Sequence, residues 1–456
     1  MKKALLSLII AAILLVCAMP FSGVLATEGD GFVYTIENDK VTITGYNGEI
    51  SGTLTIPEKI EDKPVAAIDY GAFDNQTELT GVVFPAGLKV IREQAFYGCK
   101  KLNNISLPSG LEEIGQMAFG ETAHYSDDSK WDKDGVLYIG EYLIHTKRNY
   151  TGEYTIKEGT KLLANEALAY SKGITNVVFP ESLKSLSKYC LAGCNGIKSI
   201  AIPETIESIG ESAFRECFGL EKVIIPSKIK EIKRTTFNNC DSLKEVVLPD
   251  GLTTIGIAAF DCCRSLESII IPQSVTTIEM YAFFSCYKLK DVSLPDGLTV
   301  LGEKVFGQTA ISRLIIPKGV TNLEMGVFSQ CPNLEEIVLA DTVTEIGEYA
   351  FGESTAFKTI NYYGTEEQWA EVKKSESANE ILFNAEIKFN YANKGDLDRS
   401  YKVNSADALF ILQGATGLVT FDENQFSAAD IDLDGSITSK DALSVLQFST
   451  GLMKSL

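Results

Sequence analysis

Apolar and polar positions along most of this chain recur with a fixed period. An aliphatic or aromatic residue followed by proline appears at Pro180, Pro203, Pro226, Pro249, Pro272 and Pro295, each 23 residues after the last, and Pro317 follows after 22. Phenylalanines keep step at Phe214, Phe237, Phe260, Phe283, Phe306, Phe328 and Phe351, and earlier at Phe73, Phe96 and Phe119. Leu168 and Leu191 hold the same place in two further units. Self-similarity at such a period signals a stacked-repeat architecture. Within Leu220–Pro226, Val223 and Ile225 alternate with Lys222 and Ile224, the period of two that a strand requires. Pro226 ends the strand because it has no N–H for a ladder. Ile229, Ile232 and Phe237 then furnish a return too short for a long helix, expected to be irregular or 3₁₀. No unit can bury its own apolar side, so stacking completes the core and the terminal units need caps. The pattern predicts a repeat solenoid of parallel β-strands with short returns.

Three stretches break the period. Residues 27–68 read as opening strands, with Val41-Thr-Ile-Thr-Gly-Tyr46 and Ile56-Pro57. Residues 121–154 read as a hairpin-like insertion around Asp134-Gly135, Tyr138 and Ile139-Gly140. Residues 360–391 read as a closing cap. Residues 1–26 are expected to be a signal peptide: Lys2 and Lys3 precede an apolar run at 4–17, and Val24-Leu25-Ala26 offers a small-residue cleavage site. The chain is therefore expected to be secreted, with no membrane insertion of the mature form. A net charge of −20 leaves no basic patch to displace phosphate counterions, so nucleic acid is excluded as a partner. The same charge disfavours adsorption to anionic lipid.

Cysteines follow the period too, at Cys194, Cys217, Cys240, Cys263 and Cys286, with Cys331 and Cys99 in matching places. One repeat position yields a stacked row of like side chains, so these are expected to be buried free thiols behaving as small hydrophobes. The strands also predict a surface. Outward positions form an apolar row that includes Ile224, Val247, Ile270, Ile315 and Val338, beside a mixed-charge row that includes Lys222, Glu245, Arg313 and Glu336. Such a face suits contact with a protein ligand. Trp131 and Trp369, the two tryptophans, are expected to pack inside the insertion and the cap.

After Asn393 the pattern changes. Residues 395–409 reappear 34 residues later as 429–443. In the second copy Asp430, Asp432 and Asp434 alternate, Gly435 permits a sharp turn, and Ser436, Thr438 and Asp441 complete the oxygen-ligand spacing of a Ca²⁺ loop. In the first copy Asp396, Asp398, Ser400, Lys402 (through its carbonyl), Asn404 and Asp407 occupy those places. Ser400 there replaces a carboxylate and Tyr401 stands where glycine is usual, so the first of the two Ca²⁺ sites is expected to be weaker. An apolar helix follows each loop.

The repeat unit, as in Cys217-Phe-Gly-Leu-Glu-Lys-Val-Ile-Ile-Pro226, resembles the BspA-like leucine-rich repeats of bacterial surface and secreted proteins. Residues 394–456 resemble the dockerin module of cellulosome-forming bacteria, a small all-α calcium-binding domain. That resemblance implies Ca²⁺-dependent binding to a cohesin domain of a scaffold protein, with contacts near Ser405, Ala406, Ser439 and Lys440. The expected function is a secreted, non-catalytic binding or adhesion protein, attached to an extracellular assembly, whose repeat face meets a protein or glycan ligand. The alternatives are an accessory or enzyme component of polysaccharide degradation, or a scaffold-borne protease inhibitor. Repeats account for nearly all of 31–391, which leaves no room for the paired carboxylates of a glycosidase cleft.

Overall fold

The computed structural model describes residues 27–29 and 31–456, so the expected signal peptide lies outside the described residues. The described residues form two compact units, those up to 147 together with 160–167, and residues 148–159 with 168–456.

In the second unit, alternation becomes a parallel ladder. Ser199–Ala201, Lys222–Ile224 and Glu245–Val247 pair in register, with Ile200, Val223 and Val246 side by side. The same pairing joins Ser268–Ile270 to Asp291–Ser293, and Arg313–Ile315 through Glu336–Leu339 and Thr359–Tyr362 to Glu386–Lys388. Val223 and Ile225 are buried while Lys222 and Ile224 are exposed, as the period of two requires.

The return differs from the irregular or 3₁₀ form expected. It carries a second parallel ladder of two-residue strands, Glu231–Ile232, Thr254–Ile255, Thr277–Ile278 and Val300–Leu301. Among the described residues the 3₁₀ helix sits elsewhere, at Asp128–Lys130. Each return then bends through two left-handed residues four apart: Thr235 and Asn239, Ala258 and Cys262, Tyr281 and Ser285. A left-handed residue interrupts any 3₁₀ run. The amides it frees bond to the next repeat instead, Phe237 N–H to the Ala259 carbonyl at 2.8 Å and Phe260 N–H to that of Ala282 at 2.9 Å.

Between the ladders the phenylalanines stack nearly parallel. Ring centroids of Phe214, Phe237, Phe260 and Phe283 lie 5.3, 5.4 and 5.5 Å apart, and the row runs on to Phe351. The thiol row is buried and free; outside it Cys190 is buried and Cys262 partly exposed. These thiols are more than small hydrophobes. Cys217, Cys240, Cys263 and Cys286 each donate through Sγ to a carbonyl of the preceding repeat, at 3.1–3.3 Å. Where the row lacks cysteine the bonding varies: Ser354 donates to the Phe328 carbonyl of the preceding repeat, Thr309 to the Phe306 carbonyl of its own, and buried Ser171 Oγ meets no partner. Each accepting carbonyl also takes a backbone N–H, Phe214 from Cys217 and Phe237 from Cys240 at 3.2 Å, so the thiol is a second donor that ties one repeat to the one before it.

In the first unit, Phe32–Glu37 and Lys40–Tyr46 form an antiparallel hairpin. Its second strand pairs in parallel with Lys63–Ile68, which leads through Val90–Ile91 to Glu113–Ile114. The hairpin thereby covers an otherwise open sheet edge. Val136–Ile139 and Tyr142–Thr146 form a second hairpin, and Tyr142–Thr146 pairs in parallel with Leu162–Leu163. Trp131 packs here, its Nε1 donating to the Tyr125 carbonyl at 2.9 Å. In the second unit Trp369 sits on the helix Glu366–Glu371, edge-on to Tyr362 and beneath the Lys374 ammonium.

Candidate functional site

The C-terminal segment of the second unit is helical: Ser405–Ala415, Glu423–Ala429 and Ser439–Ser449. Leu397, Ala408, Ile411, Ala429, Ile431, Ala442 and Val445 form its core, drawn symmetrically from the two sequence copies. The two equivalent helices pack together, each with its loop at its N-terminal end.

Each loop is organised by two aspartates. Asp430 accepts from Asp434 N–H at 3.1 Å and Gly435 N–H at 2.9 Å. Asp441, the helix's third residue, accepts from Ile431, Asp432 and Thr438 N–H. The first loop repeats this scheme: Asp396 accepts from Ser400 and Tyr401 N–H at 3.0 Å, and Asp407 from Leu397, Asp398 and Asn404 N–H. Asn404 and Thr438 cap their helices in capping boxes with Asp407 and Asp441. Gly435 is left-handed, φ 83°, and Tyr401 adopts the same turn at φ 69° despite its side chain.

These bonds gather the carboxylates. Oxygens of Asp396, Asp398 and Asp407 lie within 4.8 Å of one another, as do those of Asp430, Asp432 and Asp434. Burial pushes the Asp396 carboxyl up to about 6, with Asp407 and Asp398 adding to the rise, and Asp407 is also raised by burial. Asp441 is buried as well, yet bonds from Thr438, Ile431 and Asp432 hold it below the usual carboxylate range. The donor set is carboxylate, hydroxyl and carbonyl oxygen throughout, with no thiolate or imidazole, and so it fits a hard cation such as Ca²⁺. Ser400, Lys402 and Asn404 already bond among themselves, the Lys402 carbonyl accepting from Ser400 Oγ and Asn404 Nδ2. The Ser436 amide donates to Asp434 at 2.9 Å, and Thr438 Oγ1 donates to Asp441 at 3.0 Å.

The expected cohesin-contact residues Ser405, Ala406, Ser439 and Lys440 are all exposed, in the first turns of the two equivalent helices. Lys440 reaches back to Asp432 at 2.6 Å. The sequence reading missed the exposed leucines beside them: Leu409 and Leu443, Leu412 and Leu446, Leu418 and Leu452. Each pair is 34 residues apart, so the internal repeat that revealed the loops also marked these.

The repeat face departs from expectation at one end. Ile224, Val247 and Ile315 are exposed and Ile270 is 85% exposed, but Val338 is fully buried. The connector after the cap reaches that end, where Arg313 donates to Asn393 and Tyr391 N–H to the Tyr362 carbonyl. The charged row beside the stripe is partly consumed by pairing between repeats, Lys222 with Glu245 and Arg313 with Glu336 at 2.7 Å each.

A two-ladder parallel solenoid that ends in paired carboxylate loops and helices defines a repeat protein with a small docking module. The family model described as BspA type leucine rich repeat region matches in six copies, over residues 66–150, 161–286 and 253–371, and Dockerin type I domain matches residues 394–448. The chain belongs to the BspA-type leucine-rich-repeat family and carries a type I dockerin. Among solved structures it is similar to a leucine-rich repeat protein from Bacteroides ovatus, with 24% identity over 74% of this chain and 70% of that one and a TM-score of 0.38. It is also similar to a leucine rich cell surface protein from Faecalibacterium prausnitzii, with 25% identity over 78% and 99% and a TM-score of 0.40. A leucine-rich repeat protein from Eubacterium ventriosum matches at 20% identity over 64% and 96%, TM-score 0.40. No curated protein matches. Both module types are non-catalytic, and type I dockerins bind Ca²⁺ and cohesin domains. Among the described residues no helix is long and apolar enough to cross a membrane.

Proposed function

We propose that this protein is a secreted, non-catalytic binding component of an extracellular cellulosome-type assembly. Its dockerin docks on a scaffold-borne cohesin when Ca²⁺ fills the two loops, and its repeat face meets a protein or glycan ligand. The observation that carries the reading is the duplicated loop–helix half, with its carboxylates gathered and its contact residues and leucines exposed. A bound Ca²⁺ would supply the charge that offsets the clustered carboxylates. Asp396, Asp398, Ser400, Asn404 and Asp407, with the Lys402 carbonyl, would hold one ion. Asp430, Asp432, Asp434, Thr438 and Asp441, with the Ser436 carbonyl, would hold the other. The chain's own part is to fix those oxygens through the loop amides and to aim Ser439 and Lys440 outward from a rigid helix start. Docking of this kind places Leu443 and Leu446 against the partner, where apolar burial supplies affinity.

Calorimetry of the full chain against a panel of type I cohesin domains tests this. Binding that requires Ca²⁺ and is lost with chelator, Asp430→Ala or Asp441→Ala is expected. Failure of every cohesin to bind the Ca²⁺-loaded chain would sink the docking reading.

A further inference from the structure

The two halves of the dockerin begin as near copies, yet they differ in what they touch. At the first loop, Tyr363 of the repeat cap donates its hydroxyl to Asp396 at 2.9 Å, a buried bond. The Tyr401 ring lies 4.4 Å from that of Tyr363, and its hydroxyl donates to the Asp341 carboxylate. Lys402 pairs with Asp296 at 3.2 Å. Asp296 and Asp341 come from different repeats and Tyr363 from the cap, so the loop lies across the edge of the array. The residues that correspond in the second loop, Gly435 and Ser436, are exposed. Tyrosine at φ 69° is strained where glycine is not. Its ring and hydroxyl are nevertheless seated, which gives that unfavourable backbone a compensating contact.

We propose that the first half of the dockerin is an intramolecular dock for the repeat array, and that cohesin is accepted on the second half alone. The inference rests on the docking function proposed above. Ser405 follows Tyr401 by four residues, a span of at most about 14 Å of chain. A protein interface of about 800 Å² per partner reaches roughly 16 Å from its centre. A cohesin centred on Ser405 and Ala406 therefore collides with the repeat edge around Asp341 and Asp296. One centred on Ser439 and Lys440 meets helix and solvent.

The test uses the full chain with saturating Ca²⁺. In one arm, trypsin cleavage at Lys394 and the radius of gyration are compared between the native chain, Tyr401→Phe and Tyr401→Gly. Glycine suits the turn, so the loop keeps its fold while the dock is lost. Several-fold faster cleavage and expansion in Tyr401→Gly, with a smaller change in Tyr401→Phe, are expected. Cleavage and radius unchanged in Tyr401→Gly would overturn the dock. In the second arm, a type I cohesin is titrated into Ser405→Asp/Leu409→Asp and Ser439→Asp/Leu443→Asp chains. The second pair should weaken binding about 100-fold, the scale of a hot-spot loss, and the first less than about threefold. With Tyr401→Gly added, each pair alone should be tolerated and only the four changes together should abolish binding. Equal effects of the two pairs in the native background would overturn single-sided docking. A chain that binds no cohesin but loosens in Tyr401→Gly would refute the proposed function and the cohesin half of this inference, while the dock itself would stand.

Discussion

The thiol row shows how a single side chain is selected. Cys240 is fully buried and its Sγ donates to the Phe214 carbonyl at 3.2 Å, across a gap of 26 residues. Alanine would leave that carbonyl with the Cys217 N–H, at 3.2 Å, as its remaining donor, whereas serine keeps both. Cys240→Ala is expected to cost about 0.5–1.5 kcal/mol, the net worth of one hydrogen bond, and Cys240→Ser less, as denaturant midpoints would show. Burial also pushes the thiols up, Cys190 and Cys194 to about 12 and Cys262 to about 11. The reactive thiolate is thus suppressed at neutral and mildly alkaline pH. An aromatic disulfide reagent at pH 8 should leave the row unmodified in the folded chain, where partly exposed Cys262, outside the row, is the first thiol to react, and should label every thiol in denaturant. The row was legible from spacing alone. Its donor role was not, because the acceptor belongs to another repeat.

At the scale of the element, close stacking dominates. The phenylalanine ladder packs rings 5.3–6.0 Å apart from Phe214 to Phe351, so an interior truncation opens a cavity bordered by both neighbours. Phe260→Ala should cost about 3–5 kcal/mol, and calorimetry should show the loss in the repeat transition. Backbones approach just as closely where glycine sits. A Cβ on Gly302 would lie 2.4 Å from the Met280 nitrogen, a contact the ladder cannot relieve by rotating a side chain. Gly302→Ala is therefore expected to destabilise the array, read as a lowered denaturant midpoint. The main strands were readable because alternation and proline mark them locally. The second ladder was not, since two-residue strands such as Thr254–Ile255 carry too little pattern and exist only through their neighbours.

For the molecule as a whole, the dockerin and the repeats depend on different forces. The repeats bury a continuous apolar interior. The dockerin core is a short list of small residues around Leu397, Ile411, Ile431 and Val445, and its loops concentrate like charges that a cation would offset. Metal and folding should be coupled there. Circular dichroism of the Ca²⁺-loaded chain is expected to show a low-temperature helical transition that chelation, or Asp430→Ala, removes while the β-rich transition of the repeats remains. A single transition that ignores chelator would contradict that separation.

The sequence by itself determined the repeat, its period, the inward and outward residues of the main strands, and the duplicated carboxylate loops. Each of these is a local rule repeated, strand alternation in one case and oxygen spacing in the other, and repetition makes such rules visible. Tertiary structure alone decided what distant residues do to one another. It turned the return into a second ladder, made thiols into donors, buried Val338 beneath the end of the face, and seated Tyr401 between Tyr363 and Asp341. Those outcomes depend on contacts between residues tens of positions apart, and no local pattern encodes which of them will meet.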